Sequence, residues 1–169
     1  MIALELVDVK NFMNKLLRTE VFDHFLLQEA TIINGASFVI DGHIKKELYT
    51  ESELDEMGLG LTGYSAFPFS MVRNQCFDLM KGKRTPAYFK IVFSLSPENL
   101  ANTLRQLNSS YKPEDLSGIF VNIKYQNQLL TLTTGVSYRI FSTDKDLDFQ
   151  WDELVKKFLK KQEIPFEEL

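Results

Sequence analysis

The fold is decided by one hairpin segment, residues 24–44, which reads HFLLQEATIINGASFVIDGHI. Asn34-Gly35 separates two apolar runs rich in β-branched residues, and this pattern is the strongest short signal for a β-hairpin. A two-residue turn there places Ile33 opposite Ala36 and predicts two faces for the hairpin. The predicted core face carries Phe25, Leu27, Ile33, Phe38, Ile40 and Ile44. The opposite face carries His24, Gln28, Ser37, Asp41 and His43, mixed with Leu26, Ala30, Ile32 and Val39.

Helices and further strands are predicted on both sides of the hairpin. Asp8 is placed to cap a helix that runs to about Arg18, and Ser96-Pro97 has the residue types that begin another helix. Pro68 predicts a helix that ends near Lys81. Further helices are expected near residues 52–57 and 149–161, and further strands near 1–6, 87–95, 119–126 and 129–140. The pattern predicts one α+β domain, residues 1–169, with a mostly antiparallel sheet of about six or seven strands and about four or five helices packed on it.

Composition argues against several classes of function. The chain has 169 residues and a formal net charge of -4, so it lacks the overall basic surface that binds double-stranded DNA or an anionic membrane. No window approaches the ~18 apolar residues of a membrane span, and the acidic N-terminus does not match a signal peptide. The single cysteine, Cys76, lies in a predicted helix, where a buried and unreactive thiol is expected. We therefore expect a cytoplasmic protein.

Four segments along the chain occur in a specific order: VDVKNFMNKLL (7–17), FDHFLLQEA (22–30), KGKRTPAYFKIV (81–92) and WDELVKKFLKKQEIPFEEL (151–169). In these segments the sequence resembles a bacterial family that is classified only as a domain of unknown function. The resemblance spans essentially the whole chain and therefore implies one domain. It implies no activity, cofactor or catalytic residue.

The most basic stretch is KGKR, residues 81–84, at the predicted C-terminal end of a helix. Cations at a helix C-terminus offset the macrodipole and Gly82 ends the helix, so helix termination alone accounts for this composition. The alternative is a site for an anion or an acidic partner, which requires further cations such as Arg139 or Lys90 to join the loop. The candidate anion- or partner-binding residues are Lys81, Lys83, Arg84 and Arg139.

A second candidate site lies on the polar face of the hairpin. Asp41 and His43 are two residues apart on one strand, so their side chains point the same way, and the predicted register places His24 diagonally across from His43. Histidine nitrogens and a carboxylate oxygen are ligands for Zn²⁺, and a competent site needs about three of them. The glycine-bearing loop at residues 58–63 is a candidate lid. The sequence thus offers His24, Asp41 and His43 as metal ligands.

Two functions are compatible with these patterns. The chain contains no G-x-S-x-G elbow, no Walker A motif and no G-x-G-x-x-G motif, so no catalytic residue or cofactor is indicated. We expect a non-enzymatic binding or interaction module that presents a basic surface to a protein or an anionic small ligand. That surface is the 81–84 loop, the lysines of the last helix, or both. The alternative is a small metal-assisted enzyme that uses the hairpin site. The C-terminal EIPFEEL, residues 163–169, is expected to pack on the domain.

Overall fold

Seven strands and five α-helices form the chain in the computed structural model, which describes residues 1–169. The strands are β1 (Ala3–Leu6), β2 (Leu26–Asn34), β3 (Ala36–Asp41), β4 (Tyr88–Ser94), β5 (Leu116–Gln126), β6 (Leu129–Tyr138) and β7 (Phe166–Glu168). The α-helices are α1 (Val9–Arg18), α2 (Glu51–Glu56), α3 (Phe69–Met80), α4 (Pro97–Gln106) and α5 (Asp146–Lys161). All strands belong to one antiparallel sheet with the order β3-β2-β4-β5-β6-β1-β7. The predicted α+β class is confirmed.

Two helices begin where their capping residues predict. The Asp8 carboxylate accepts a hydrogen bond from the backbone N–H of Asn11 at 3.0 Å and so starts α1. Ser96 caps α4 in the same way through the N–H of Asn99 at 3.2 Å, and Pro97 occupies the first helical position. Each cap satisfies a backbone N–H that has no partner inside its own helix, which is why these starts can be predicted locally.

The sheet has one buried face and one open face. In β4, Phe89, Ile91 and Phe93 are fully buried, while the intervening Tyr88 and Lys90 are half-buried. The buried positions join apolar side chains of α1, α3, α4 and α5 in one core cluster. Helices therefore cover one side of the sheet, and the alternate residues of each strand face outward.

The hairpin of β2 and β3 forms, but its predicted register is wrong by one residue. Ile33 lies opposite Ser37, not opposite Ala36. A one-residue shift moves side chains to the other face. Ala30 and Ile32, predicted on the polar face, are therefore fully buried in the core.

A segment from elsewhere in the chain separates the open ends of this hairpin. Residues 65–69 run between the start of β2 and the residues that follow β3. The N–H of Ile44 donates to the carbonyl of Ser65, and the N–H of Leu27 donates to the carbonyl of Phe67, each at 2.9 Å. Isolated bridges at Ala66 and Pro68 thus join this segment to both strand ends, where direct pairing of β2 with the continuation of β3 is predicted.

The C-terminal tail packs on the domain, as predicted. β7 pairs with β1 at one edge of the sheet. The ammonium of Lys156, on α5, hydrogen-bonds to the carboxylates of Glu168 and Glu153 at 2.5 and 3.0 Å. These bonds, first that to Glu168, raise the pKa of Lys156 above its ordinary value. The contacts tie the tail to both the sheet and the last helix.

The longest helix, α5, begins at Asp146, three residues before its predicted start. Its buried side chains include Trp151, Val155 and Leu159, which pack on the sheet. No helix of this chain is both long enough and apolar enough to cross a bilayer.

Candidate functional site

One cavity of about 660 Å³ is lined in part by His24, and another of about 620 Å³ lies beside the basic loop. The second, which we call the basic cavity, lies between α1, the C-terminal turn of α3 and the loop at residues 81–86. Tyr125, near the end of β5, closes one side. The packing of α1 against α3 creates this space, so the basic loop faces a helix that is distant from it in sequence.

Five cationic side chains line the basic cavity: Lys10, Arg18, Lys81, Lys83 and Arg84. No aspartate or glutamate lines it. Lys81 forms an ion pair with Asp78 at 3.0 Å, and the other four cations form none. The chain as a whole carries a net charge of -4. The cavity is therefore a local concentration of positive charge on an acidic protein, the arrangement that attracts anions.

The wall between the cations is apolar and aromatic. The guanidinium carbon of Arg18 lies 5.6 Å from the centre of the Phe77 ring, and the ammonium of Lys81 lies 6.0 Å from the same ring. These cation–π contacts hold two of the charges at the edge of the cavity. Tyr125 stacks on the buried Phe89 with ring centres 5.4 Å apart, which fixes the position of its ring. The cavity can thus contact both a charged group and an apolar group.

Helix termination explains part of this composition. The N–H of Lys81 donates to the carbonyl of Phe77 at 2.7 Å and closes the last turn of α3. Lysine near this end also interacts favourably with the helix macrodipole. Helix termination does not account for Lys10, which lies in the first turn of α1, where a cation is electrostatically unfavourable. Termination and ligand binding are therefore both compatible with the 81–84 loop.

Arg139 does not join the basic cavity. It follows the end of β6, and its N–H donates to the carbonyl of Asp115 at 2.8 Å. Tyr125 is opposite Leu130 in the sheet, so Arg139 lies nine residues further along β6, roughly 30 Å away at about 3.3 Å per residue. Lys90 alternates with the buried residues of β4 and therefore lies on the open face of the sheet. Neither Arg139 nor Lys90 therefore adds a positive charge to the 81–84 loop, as an anion site was predicted to require.

Lys10 and Arg18, which were not among the residues predicted from the sequence, supply that charge instead. A signal was available, because Lys10, Asn14 and Arg18 recur every four residues and so form a polar stripe on one side of α1. The stripe alone does not show what it faces. The packing of α1 on α3 places it opposite the basic loop.

A family model described as a family of unknown function (DUF5721) matches residues 15–167. The chain belongs to this family. No curated protein and no solved structure matches the chain. The matched residues include Arg18 and the whole basic loop, whereas Lys10 precedes them. The resemblance to a family of unknown function is therefore confirmed.

The three predicted metal ligands do not come together in this member of the family. His43 Nδ1 lies 2.6 Å from Asp41 Oδ1, so these two side chains do meet. His24 lines a different cavity, because the inserted segment at residues 65–69 lies between the start of β2 and His43. No group of three or more His, Cys, Asp or Glu side chains is arranged to hold a metal ion. The predicted three-ligand site does not form.

Asp41 and His43 form an exposed dyad instead. Lys45 binds the second carboxylate oxygen of Asp41 at 3.0 Å. The hydrogen bonds from His43, first that of its side chain, and the contact with Lys45 hold the pKa of the Asp41 carboxyl well below its usual range. Asp41 therefore stays ionised and orients the imidazole, with Nδ1 directed at the carboxylate and Nε2 facing away.

His24 lines the cavity of about 660 Å³ together with residues of the predicted lid. Gly58 and Leu59 border this cavity, as do Ser70 and Ser96 from the starts of α3 and α4. The Ser96 hydroxyl accepts a hydrogen bond from the N–H of Asn99, and neither serine is hydrogen-bonded to the His24 side chain. A nucleophile next to a base within hydrogen-bond reach is the arrangement expected of covalent catalysis, and this cavity does not contain it.

Proposed function

We propose that this protein is a non-enzymatic module that binds a small phosphorylated ligand in the basic cavity. The observation that supports the proposal most directly is the charge of the lining. Four of its five cations have no carboxylate partner, and no carboxylate lines the cavity. An anion that binds there gains attraction to these charges without displacing an existing ion pair.

The size and walls of the cavity favour a small molecule with both an anionic and an apolar part. A volume of about 620 Å³ falls within the roughly 300–1,000 Å³ of typical small-molecule sites. Arg18 and Arg84 offer planar forks that match phosphate oxygens, and the lysines add point charges. Phe77 and Met13 offer apolar contact for the remainder of the ligand. A phosphorylated molecule with a ring or a short hydrocarbon part fits this combination.

A cytoplasmic location belongs to the proposal, because phosphorylated small molecules are made and used there. The lysines of α5 are not part of the proposed site. Lys156 is engaged by two carboxylates, and no residue of α5 lines the basic cavity. The acidic net charge also favours a small ligand over extended nucleic acid, which needs a long basic surface.

Binding is tested by thermal unfolding and calorimetric titration with inorganic phosphate, AMP and ATP, with sodium sulfate as a non-phosphate dianion. A ligand present at about 100 times its dissociation constant is expected to stabilise the fold by roughly 2.7 kcal/mol. The double variant Arg18→Ala/Arg84→Ala is expected to weaken binding at least tenfold. The control Lys157→Ala removes an exposed charge of α5 that forms no ion pair and is expected to bind as the wild type does.

A further variant tests the sign of the electrostatic argument. Asp78→Asn removes the carboxylate that pairs with Lys81, so ligand affinity is expected to rise. The proposal is rejected if none of the three phosphate-bearing ligands binds, or if Arg18→Ala/Arg84→Ala leaves their affinity unchanged. In the first case an acidic protein surface becomes the better candidate for the basic loop.

A further inference from the structure

An apolar cavity of about 210 Å³ lies inside the domain, between the sheet and α5. Val121 and Leu132 from the sheet form one side, and Trp151 and Val155 from α5 form the other. Every side chain that lines the cavity is hydrophobic. The cavity shares no lining residue with the basic cavity, so a ligand bound here does not depend on the proposed function.

The cavity offers nothing that could hold water. The indole N–H of Trp151 is the one polar side-chain group among the lining residues, and it already donates to the carbonyl of Phe120 at 3.1 Å. A buried water molecule needs two to four polar partners. A space of this size without such partners is either dry or filled by an apolar group.

Aromatic walls keep the cavity open. Phe22 and Phe158 meet edge to face with ring centres 5.6 Å apart, and Phe25 and Phe158 meet in the same way at 5.9 Å. Phe22 also stacks on the buried Phe93 at 5.7 Å. Interlocked rings have few alternative rotamers, so the walls cannot collapse inward without breaking these contacts.

The cavity also has an entrance. Phe25, Leu95, Leu154 and Phe158 line it and are half-buried, whereas the residues at its inner end are buried. A ligand can therefore reach the inner end by displacement of Leu95 and Leu154, which take no part in the ring contacts, without the opening of β-sheet hydrogen bonds.

We propose that this cavity binds an uncharged apolar ligand about the size of a single substituted aromatic ring or a branched hydrocarbon group. A dry, apolar cavity of about 150 Å³ in another protein is large enough for benzene, so about 210 Å³ leaves room for a ring with a substituent. The lack of any free polar atom excludes ligands whose buried part carries a charge or an unpaired hydrogen-bond donor.

Trp151 is the only tryptophan of the chain and lines the cavity, so its fluorescence reports occupancy directly. Titration with iodobenzene, a heavy-atom quencher of suitable size, is expected to quench this fluorescence saturably. Aqueous iodide is expected to have little effect, because Trp151 is 6% exposed. Toluene, which does not quench, is expected to compete with iodobenzene and to raise the melting temperature.

Variants that fill the cavity provide the decisive comparison. Val155→Phe is expected to abolish saturable quenching, with a melting temperature at or above that of the wild type. Leu95→Phe, at the entrance, serves the same purpose if Val155→Phe does not fold. Val39→Phe places the same ring on an exposed position of β3 and is expected to leave quenching unchanged.

The proposal is overturned by quenching that stays linear in iodobenzene up to its solubility limit. It is equally overturned if Val155→Phe or Leu95→Phe folds and iodobenzene still quenches its fluorescence saturably, as in the wild type. Phosphate titration of Val155→Phe separates the two sites, since binding in the basic cavity is expected to persist there whatever the outcome for iodobenzene.

Discussion

Arg73 holds Asp23 in an ion pair that joins α3 to the segment before β2. Arg73 Nε lies 2.9 Å from Asp23 Oδ1, and Arg73 Nη2 donates a hydrogen bond to Asp23 Oδ2 at 3.2 Å. The Nε–Oδ1 contact is close but not aligned as a hydrogen bond. The two side chains are 22% and 10% exposed, so solvent screens this pair less than a surface pair. The pair therefore fixes one wall of the cavity that His24 lines.

Removal of one partner of this pair is expected to be costly. Asp23→Ala leaves the Arg73 guanidinium in a largely buried position without a counter-charge, and we expect the free energy of unfolding to fall by about 3 kcal/mol. Asp23→Leu combined with Arg73→Met replaces both charges with apolar groups and is expected to recover most of that loss. Urea denaturation of the single and double variants measures both values. A loss below about 1 kcal/mol for Asp23→Ala would show that the pair behaves as an exposed one.

Gly42 is expected to tolerate no side chain. A Cβ atom at this position would lie 1.7 Å from the backbone oxygen of Leu27, because the chain passes very close to β2 where residues 65–69 enter. Gly42→Ala must shift backbone and is expected to destabilise the fold by about 3 kcal/mol or more. Gly135→Ala is the matched control, since a Cβ atom there meets nothing within 4 Å and the backbone is not left-handed. Similar melting temperatures for the two variants would contradict the close approach.

Asp41 is expected to titrate at an unusually low pH. Its folded-state pKa lies below its ordinary value, chiefly because of the hydrogen bonds from His43 and then the contact with Lys45. The contribution of Asp41 to stability is therefore present above its ordinary pKa and is lost as the pH falls through the folded-state value. An NMR titration of the Asp41 carboxyl carbon measures this midpoint. His43→Ala is expected to raise it more than Lys45→Met does, and an unchanged midpoint in His43→Ala would show that the dyad does not form in solution.

Cys76 is expected to be unreactive in the native protein. It is fully buried in α3, and burial raises the pKa of its thiol from 9.0 to about 11. The reactive thiolate is therefore scarce at pH 8. The unfolded chain loses the thiol proton first, so the contribution of Cys76 to stability falls as the pH rises from about 9 towards 11. Colour development with a thiol reagent at pH 8 should appear only after addition of denaturant, and rapid reaction of the folded protein would contradict the buried position.

Local signals in the sequence were sufficient for most helices and strands. Asp8 caps the N–H of Asn11, three residues away, and the apolar residues of α1 recur every three or four residues, so neighbouring residues determine that the helix forms and where it starts. The register of the hairpin was not determined in this way. Ile32 and Ile33 are adjacent, equally apolar and on opposite faces of β2. Either register therefore buries one isoleucine, and the local sequence does not decide which. The core that β2 shares with β4 selects Ile32.

The sequence by itself determined the α+β class, the capped helices and the cations of the 81–84 loop, because short-range periodicity and local hydrogen bonding specify these features. Tertiary structure decided which charges meet. Arg18 reaches the basic loop because α1 packs against α3, and His24 is kept from His43 because residues 65–69 run between them. Both outcomes depend on contacts between segments that are far apart in the chain. Such contacts form wherever apolar surface is buried most completely, and no short stretch of sequence specifies that arrangement.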